Sequence, residues 1–208
     1  MMLQTPEIAD ARFPRLRSIA YGASPIAEDV LARAQTAFGC DFVQFYGMTE
    51  SAGAGSYLSP AAHRAGGLLK SCGQPWPGVD IAILDSEGRE LPAGEIGEIA
   101  IRGDIVMKGY WRRNEATVEA LAGGWLHTGD AGYADENGYF FVHDRIKDMI
   151  VSGGENVYPA EVENAIAGCP GVADVAVIGV PDDKWGEAVK ALIVAEDDAP
   201  SAEAVIAW

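Results

Sequence analysis

Tyr46-Gly47-Met48-Thr49-Glu50 sets a flat aromatic ring, a glycine, a hydroxyl and a carboxylate side by side. The ring can stack on a base, the glycine permits close backbone approach, the hydroxyl can meet a phosphate and the carboxylate can bind magnesium. In isolation the segment equally suits a strand end with a packed tyrosine and a solvated glutamate. In Trp125-Leu126-His127-Thr128-Gly129-Asp130 a carboxylate follows glycine in what reads as a turn. There it could accept hydrogen bonds from both vicinal hydroxyls of a ribose, or serve as an ordinary Asp-containing turn. A third run, Asp144-Arg145-Ile146-Lys147-Asp148, puts basic groups just ahead of the two-glycine loop Ser152-Gly153-Gly154 and a helix opening at Pro159.

These segments need elements to hold them. Leu16 to Tyr21 has β-compatible apolar positions and runs into Gly22-Ala23-Ser24-Pro25, where Ser24 can cap a helix and Pro25 can occupy its first turn. That helix would carry Glu28 and Asp29 near its positive end, place Val30, Ala34 and Phe38 on one apolar face, and stop at Gly39. Phe42 to Phe45 reads as a second buried strand, so that Tyr46 to Glu50 lies at the strand-end edge ligands favour in open α/β sheets. From Gly73 the pattern changes to antiparallel β structure: Val79 to Leu84 and Ile96 to Ile101 are separated by Asp85-Ser86-Glu87-Gly88 and Pro92-Ala93-Gly94 turns. Tyr139 to His143 follows Asp135-Glu136-Asn137-Gly138, whose Asn-Gly is read as supplying the positive φ angles of a tight hairpin. Beyond Pro159 come a short helix carrying Val162, Ala165 and Ile166, strands over Val172 to Val180 and Ala188 to Val194, and a further helix starting at Ser201.

The composition, 49% hydrophobic and 22% charged, is that of a globular chain. A formal net charge of -16 gives no electrostatic footprint for nucleic acid or an anionic membrane, so a phosphate ligand must be held by local groups. Apolar runs are too short to span a bilayer, and Met1 to Asp10 has no basic stretch followed by an apolar core, which makes the cytoplasm the expected location. Cys40, Cys72 and Cys169 are widely spaced and read as reduced, packed thiols. His63 reads as part of a polar loop, His127 as a packing residue beside the Gly129-Asp130 segment and His143 as near the basic run; none has metal-ligand spacing.

Taken together, Tyr21 to Ile26, Tyr46 to Glu50, Gly94 to Gly103, Trp125 to Asp130 and Asp144 to Glu163 resemble, in order, the motifs of the adenylate-forming (AMP-binding) superfamily of acyl-CoA synthetases, luciferases and peptide-synthetase adenylation domains. The run Asp144 to Glu163 most resembles the acyl-CoA synthetase, or fatty-acid-CoA ligase, branch. The resemblance implies the end of a large AMP-binding domain over residues 1–145, α/β over 1–72 and mainly β and barrel-like over 73–145. An incomplete small α+β C-terminal domain over 146–208 would follow, with a hinge near Lys147. It implies that Gly22, Ala23 and Ser24 line an acyl pocket and flank adenine, that Tyr46 and Gly47 sit against the base, and that Thr49 touches a phosphate. Glu50 would help hold Mg2+, Asp130 the ribose hydroxyls, and Arg145 the ribose or its phosphate side, while Gly153 and Gly154 would line a pantetheine channel. The implied chemistry joins a fatty or aromatic carboxylic acid to coenzyme A through an acyl-adenylate made from ATP. Loading of a carrier protein, or nucleotide binding without catalysis, are the alternatives. The family's phosphate-gripping loop and its terminal catalytic lysine match nothing here; Lys184 and Lys190 lack the Gly-Lys setting, so these residues alone are expected to adenylate poorly or not at all.

Overall fold

Strand β1 (Ser18–Gly22) and strand β2 (Asp41–Tyr46) pair in parallel, joined through helix α1 (Glu28–Phe38), in the computed structural model of the chain, which describes residues 3, 5, 8, 11–23, 26, 28–195 and 200–208. The capping role read for Ser24 and the first-turn role read for Pro25 lie outside the described residues. Leu31, Ala34 and Phe38 of α1 are buried with Phe42 of β2, so the apolar stripe is centred one position from the expected one and Val30 is only half-buried. Gly39 ends the helix in the left-handed region, φ 57°, with its N–H donating to the Gln35 carbonyl at 3.0 Å. Strands β3 (Ser56–Leu58) and β4 (Gln74–Pro75) complete a sheet of order β1-β2-β3-β4, with the last two pairings antiparallel. Between them lies helix α2 (Pro60–Ala65), N-capped by Ser59, whose hydroxyl accepts from Ala62 N–H at 3.2 Å. His63 sits in the last turn of α2, buried at 4% exposure, and not in the polar loop expected for it.

The next four strands, β5 (Val79–Leu84), β6 (Gly97–Gly103), β7 (Leu126–Ala134) and β8 (Phe140–Arg145), form a second sheet in that order, with helix α3 (Asn114–Ala120) between β6 and β7. It is an open sheet, not a closed barrel, among the described residues. The β5–β6 register sets Ile81 opposite Ile101 and Ile83 opposite Ile99, which buries the branched residues that marked these strands in the sequence. The two Asp-x-x-Gly turns share one design. Asp85 and Asp135 each accept the Gly N–H three residues on at 3.0 Å through their carbonyls. Their carboxylates each accept two more backbone N–H groups, from Glu87 and Arg89 and from Asn137 and Tyr139. Only Gly138, φ 75°, adopts a positive φ in the second turn; Asn137 does not, because the Asp135 side chain already organises the bend.

By internal packing the chain divides into one unit of residues up to Thr128 with Gly132–Val142, and a second of Gly129–Ala131 with His143–Trp208. The second unit contains a sheet of order β10-β9-β12-β11, built from β9 (Ile150–Ser152), β10 (Glu155–Val157), β11 (Val172–Asp182) and β12 (Gly186–Ala195). Helix α4 (Pro159–Ile166) packs on β11, and α5 (Ala202–Ala207), capped by the Ser201 hydroxyl, follows. Ala131, Ile150, Tyr158, Ile166, Cys169 and Val177 are among the buried apolar residues of this second unit. No helix among the described residues is long and apolar enough to cross a membrane.

Ile99 is fully buried in a cluster with Cys72, Ile83 and Phe140. Replacing it with Ala is expected to lower unfolding free energy by about 2–5 kcal/mol, read as a lower denaturant midpoint at unchanged slope. Burial pushes the Tyr21 phenol up to about 12 from its ordinary value of 10.0. The folded state therefore holds a proton the unfolded chain has lost, so this contribution to stability is complete below pH 10 and disappears as pH rises through about 12. Tyr21→Phe should flatten the alkaline fall in stability over that window, measured by denaturant unfolding at successive pH values.

Candidate functional site

The register Tyr21↔Gln44 and Gly22↔Phe45 brings the carboxyl ends of β1 and β2 side by side. A pocket of about 270 Å3 opens there, lined by Ala20 to Ala23 from one strand and by Phe45, Gly47 and Gly53 from the other strand and its following loop. Of the residues singled out in the sequence, it therefore unites Gly22, Ala23 and Gly47, at the edge where open α/β sheets take ligands; Ser24 lies outside the described residues. Glycine is required at two of these positions by contact: a Cβ on Gly22 would run into the Phe45 carbonyl, and one on Gly47 would sit 2.7 Å from the Ala54 nitrogen. The loop after β2 is tied to itself. Met48 O accepts from Ser51 N at 3.0 Å and Gly53 N at 2.8 Å, and the fully buried Ser51 hydroxyl bonds both Met48 N and Met48 O at 3.1 Å.

Tyr46 is half-buried and packs on the clusters around Ile99 and Ile101, and it is not among the pocket's lining residues. Thr49 is exposed in a single 3-10 turn with Glu50. Glu50 is held twice from far along the chain: its carbonyl accepts from Met107 N at 2.7 Å, and its Oε1 accepts from the Tyr110 hydroxyl at 2.7 Å. The Tyr110 phenol is raised above its ordinary value by that bond to the Glu50 carboxylate, with burial adding to it. A single carboxylate suits a magnesium ion held mainly by substrate phosphate oxygens and water. Among the described residues no group of three or more His, Cys, Asp or Glu converges to hold a metal by protein ligands alone.

In the second unit, Asp130 and Arg145 meet directly. Arg145 Nε donates to Asp130 Oδ1 at 3.0 Å, and the guanidinium lies 3.7 Å from where a Cβ on Gly129 would stand. Asp130 lies within strand β7 and not in the turn expected for it; the ladder runs on through Gly129, φ 72°. Asp144 accepts from Arg145 N at 2.7 Å and from Ala160 N, in the first turn of α4, at 2.8 Å, which anchors the start of the basic run to that helix. Lys147 is exposed in the one-turn 3-10 segment Ile146–Asp148 and lines a pocket of about 430 Å3 together with Asp144, Glu163 and Glu187. Gly153 and Gly154, φ 62° and 89°, form the turn of the β9–β10 hairpin. A Cβ on Gly153 would lie 2.8 Å from the Trp185 ring, and Gly153 N donates to the Trp185 carbonyl at 2.8 Å.

Two contacts of consequence join residues far apart in the chain. Tyr110 stands 60 positions from Glu50, and His63 bonds Tyr21 across 42 positions; no local spacing signals either contact. His127 Nδ1 lies 2.7 Å from Glu98 Oε2.

The sequence profile of the AMP-binding enzyme family matches residues 1–111, and that of the AMP-binding enzyme C-terminal domain matches residues 161–208. The fatty acid–[acyl-carrier-protein] ligase ScoC of Streptomyces coeruleorubidus is 49% identical over 196 residues, which are 94% of this chain and 38% of that protein. Feruloyl-CoA synthase of Amycolatopsis sp is 46% identical over 98% of this chain and 41% of its own length. The solved structure of o-succinylbenzoate CoA synthetase (MenE) from Bacillus subtilis in complex with the acyl-adenylate intermediate OSB-AMP superposes with a TM-score of 0.84 at 38% identity. That match covers 92% of this chain and 39% of that one. The chain thus spans about two fifths of the length of the relatives it matches. With one profile covering more than half of its residues and the second following in order, the chain belongs to the AMP-binding enzyme family.

Proposed function

We propose that the protein carrying these residues activates a fatty or aromatic carboxylic acid with ATP and transfers the acyl group to the thiol of coenzyme A. The observation that carries the reading is the pocket at the carboxyl ends of β1 and β2, where Gly22, Ala23, Gly47 and Gly53 leave mostly backbone for a flat ligand to lie against. Gly22, Ala23 and Ser24 flank the adenine and the acyl group, Tyr46 and Gly47 meet the base, and Thr49 touches a phosphate. Glu50, its carboxylate steadied by Tyr110, helps to hold magnesium, whose charge offsets that of the phosphates. Asp130 accepts from the ribose hydroxyls, with Arg145 beside it on the phosphate side.

In the first half-reaction a carboxylate oxygen of the acid attacks the α-phosphorus, the bond from that phosphorus to the oxygen leading to the β-phosphate breaks, and pyrophosphate leaves. In the second the thiol gives up its proton, the sulfur attacks the acyl carbonyl, and AMP leaves. Positioning and charge neutralisation carry most of the first step. In this reading residues 1–145 close the large domain, residues 146–208 belong to the small one, and the chain turns about Lys147 between the half-reactions. Gly153 and Gly154 then line the pantetheine channel, where the exposed, side-chain-free hairpin turn leaves room for a narrow ligand. Its nucleotide and coenzyme substrates make the cytoplasm the fitting compartment. A second reading, transfer to the pantetheine arm of a carrier protein, is favoured by the 49% identity to an acyl-carrier-protein ligase.

Pyrophosphate exchange into ATP, dependent on a fatty or aromatic acid, is expected of the longest polypeptide the reading frame encodes. Exchange no faster than an acid-free control across the whole panel would sink the proposal and favour nucleotide binding without catalysis. Product analysis with coenzyme A and with a phosphopantetheinylated carrier protein side by side decides the acceptor. Gly153→Ala, whose methyl would press on Trp185, should leave exchange within about twofold while slowing thioester formation on the order of tenfold.

A further inference from the structure

His63 has no part in the chemistry assigned above, yet it is 4% exposed, a burial uncommon for an ionisable side chain. Its Nδ1 lies 2.9 Å from the Ser59 carbonyl oxygen. A carbonyl can only accept, so Nδ1 carries the proton, and the neutral ring then offers Nε2 as an acceptor. The Tyr21 hydroxyl, 2.9 Å from Nε2, is therefore the donor. The two rings meet edge to face with centroids 5.7 Å apart, and Tyr21 meets Phe42 of β2 in the same manner at 6.3 Å. Ser59 is itself fixed as the N-cap of α2, and its carbonyl accepts the His63 backbone N–H at 3.1 Å as well. A continuous set of bonds thus runs from the start of α2 to Tyr21, the last side chain of β1 and itself one of the pocket's lining residues.

The next two residues line that pocket, and they need restraint. Ala23 stands at φ 65°, in the left-handed region that alanine enters at a cost and keeps only where its surroundings impose it. A Cβ on Gly22 would run into the Phe45 carbonyl, so the ends of β1 and β2 lie close together there.

We propose that Tyr21 and His63 are positioning residues whose hydrogen bond latches the carboxyl end of β1 to α2 and so holds Gly22 and Ala23 against the acyl-adenylate. The role rests on the acid-activation reading above. Because both side chains act through one bond, removing either has the effect of removing both.

The test uses pyrophosphate exchange in the full-length enzyme. Tyr21→Phe removes the hydroxyl at constant shape, His63→Leu removes the acceptor, and His63→Gln restores one through its amide oxygen. Tyr21→Phe and His63→Leu are each expected to raise KM for the acid on the order of fivefold with kcat within about twofold, and the double variant to be no worse than either. His63→Gln should return KM to within about twofold of the unsubstituted enzyme, and imidazole nitrogen NMR should show His63 with its proton on Nδ1. A lowered melting temperature with unchanged KM, additive effects in the double variant, or a proton on Nε2 would each overturn the latch. Absence of exchange in the unsubstituted enzyme overturns the acid-activation reading and the positioning role with it. That outcome is distinct from failure of the latch alone, in which exchange is present and insensitive to both substitutions.

Discussion

Parallel strands end with their carboxyl termini side by side, and here the spacing between those ends is set by backbone meeting backbone, Gly22 against the Phe45 carbonyl. The same closeness recurs just past the end of β2, where a Cβ on Gly47 would meet Gly53 and Ala54. Because no side chain can be interposed at either point, the loop from Met48 to Gly53 must fold back tightly, and the buried Ser51 hydroxyl satisfies the polar groups that this leaves at Met48. The position of Glu50 follows from that fold-back and from its two bonds to the loop after β6, at Met107 and Tyr110. A contact between two peptide groups thus governs where a carboxylate several residues away is displayed.

The acidic surplus of the chain has a structural explanation. Asp85, Asp135, Asp144, Glu163, Asp182 and Glu187 all accept backbone N–H groups, closing turns, starting α4 or tying one strand to its neighbour. Such bonds satisfy backbone donors that would otherwise face water or apolar surface. The exposed pairs Arg102–Asp80 and Arg89–Asp85, by contrast, contribute little through their charge alone. The net charge of -16 describes the chain as a whole, and the field at any one site is set by the groups around it.

Among the described residues, three other than glycine adopt positive φ: Ala23, Ala52 and Arg112. Ala23 lines the pocket, Ala52 lies inside the loop that carries Glu50, and Arg112 is two residues beyond Tyr110. Each costs on the order of 1–3 kcal/mol and persists because neighbouring bonds impose it. Ala23 and Ala52 thus put backbone strain beside Gly22 and Gly53, which line one pocket.

Most elements could be read from the order of residues, because strands, caps and turns are governed by neighbours a few positions apart. β1, β2, α4 and the Ser201-capped helix all fall where apolar period, Pro and capping residues indicate. The segment Tyr46 to Glu50 was recognisable for the same reason, as a local string of residue types. Three expectations differ from the structure. Asp130 lies within a strand, Asn137 keeps negative φ because the Asp135 carboxylate organises the bend, and His63 is buried with Tyr21 and Ser59 satisfying its two nitrogens. Local steric preferences act through the chain and leave a mark in its order. Hydrogen-bond satisfaction of a buried group acts through space, between residues as far apart as Glu50 and Tyr110, and so is settled only when the sheets have formed.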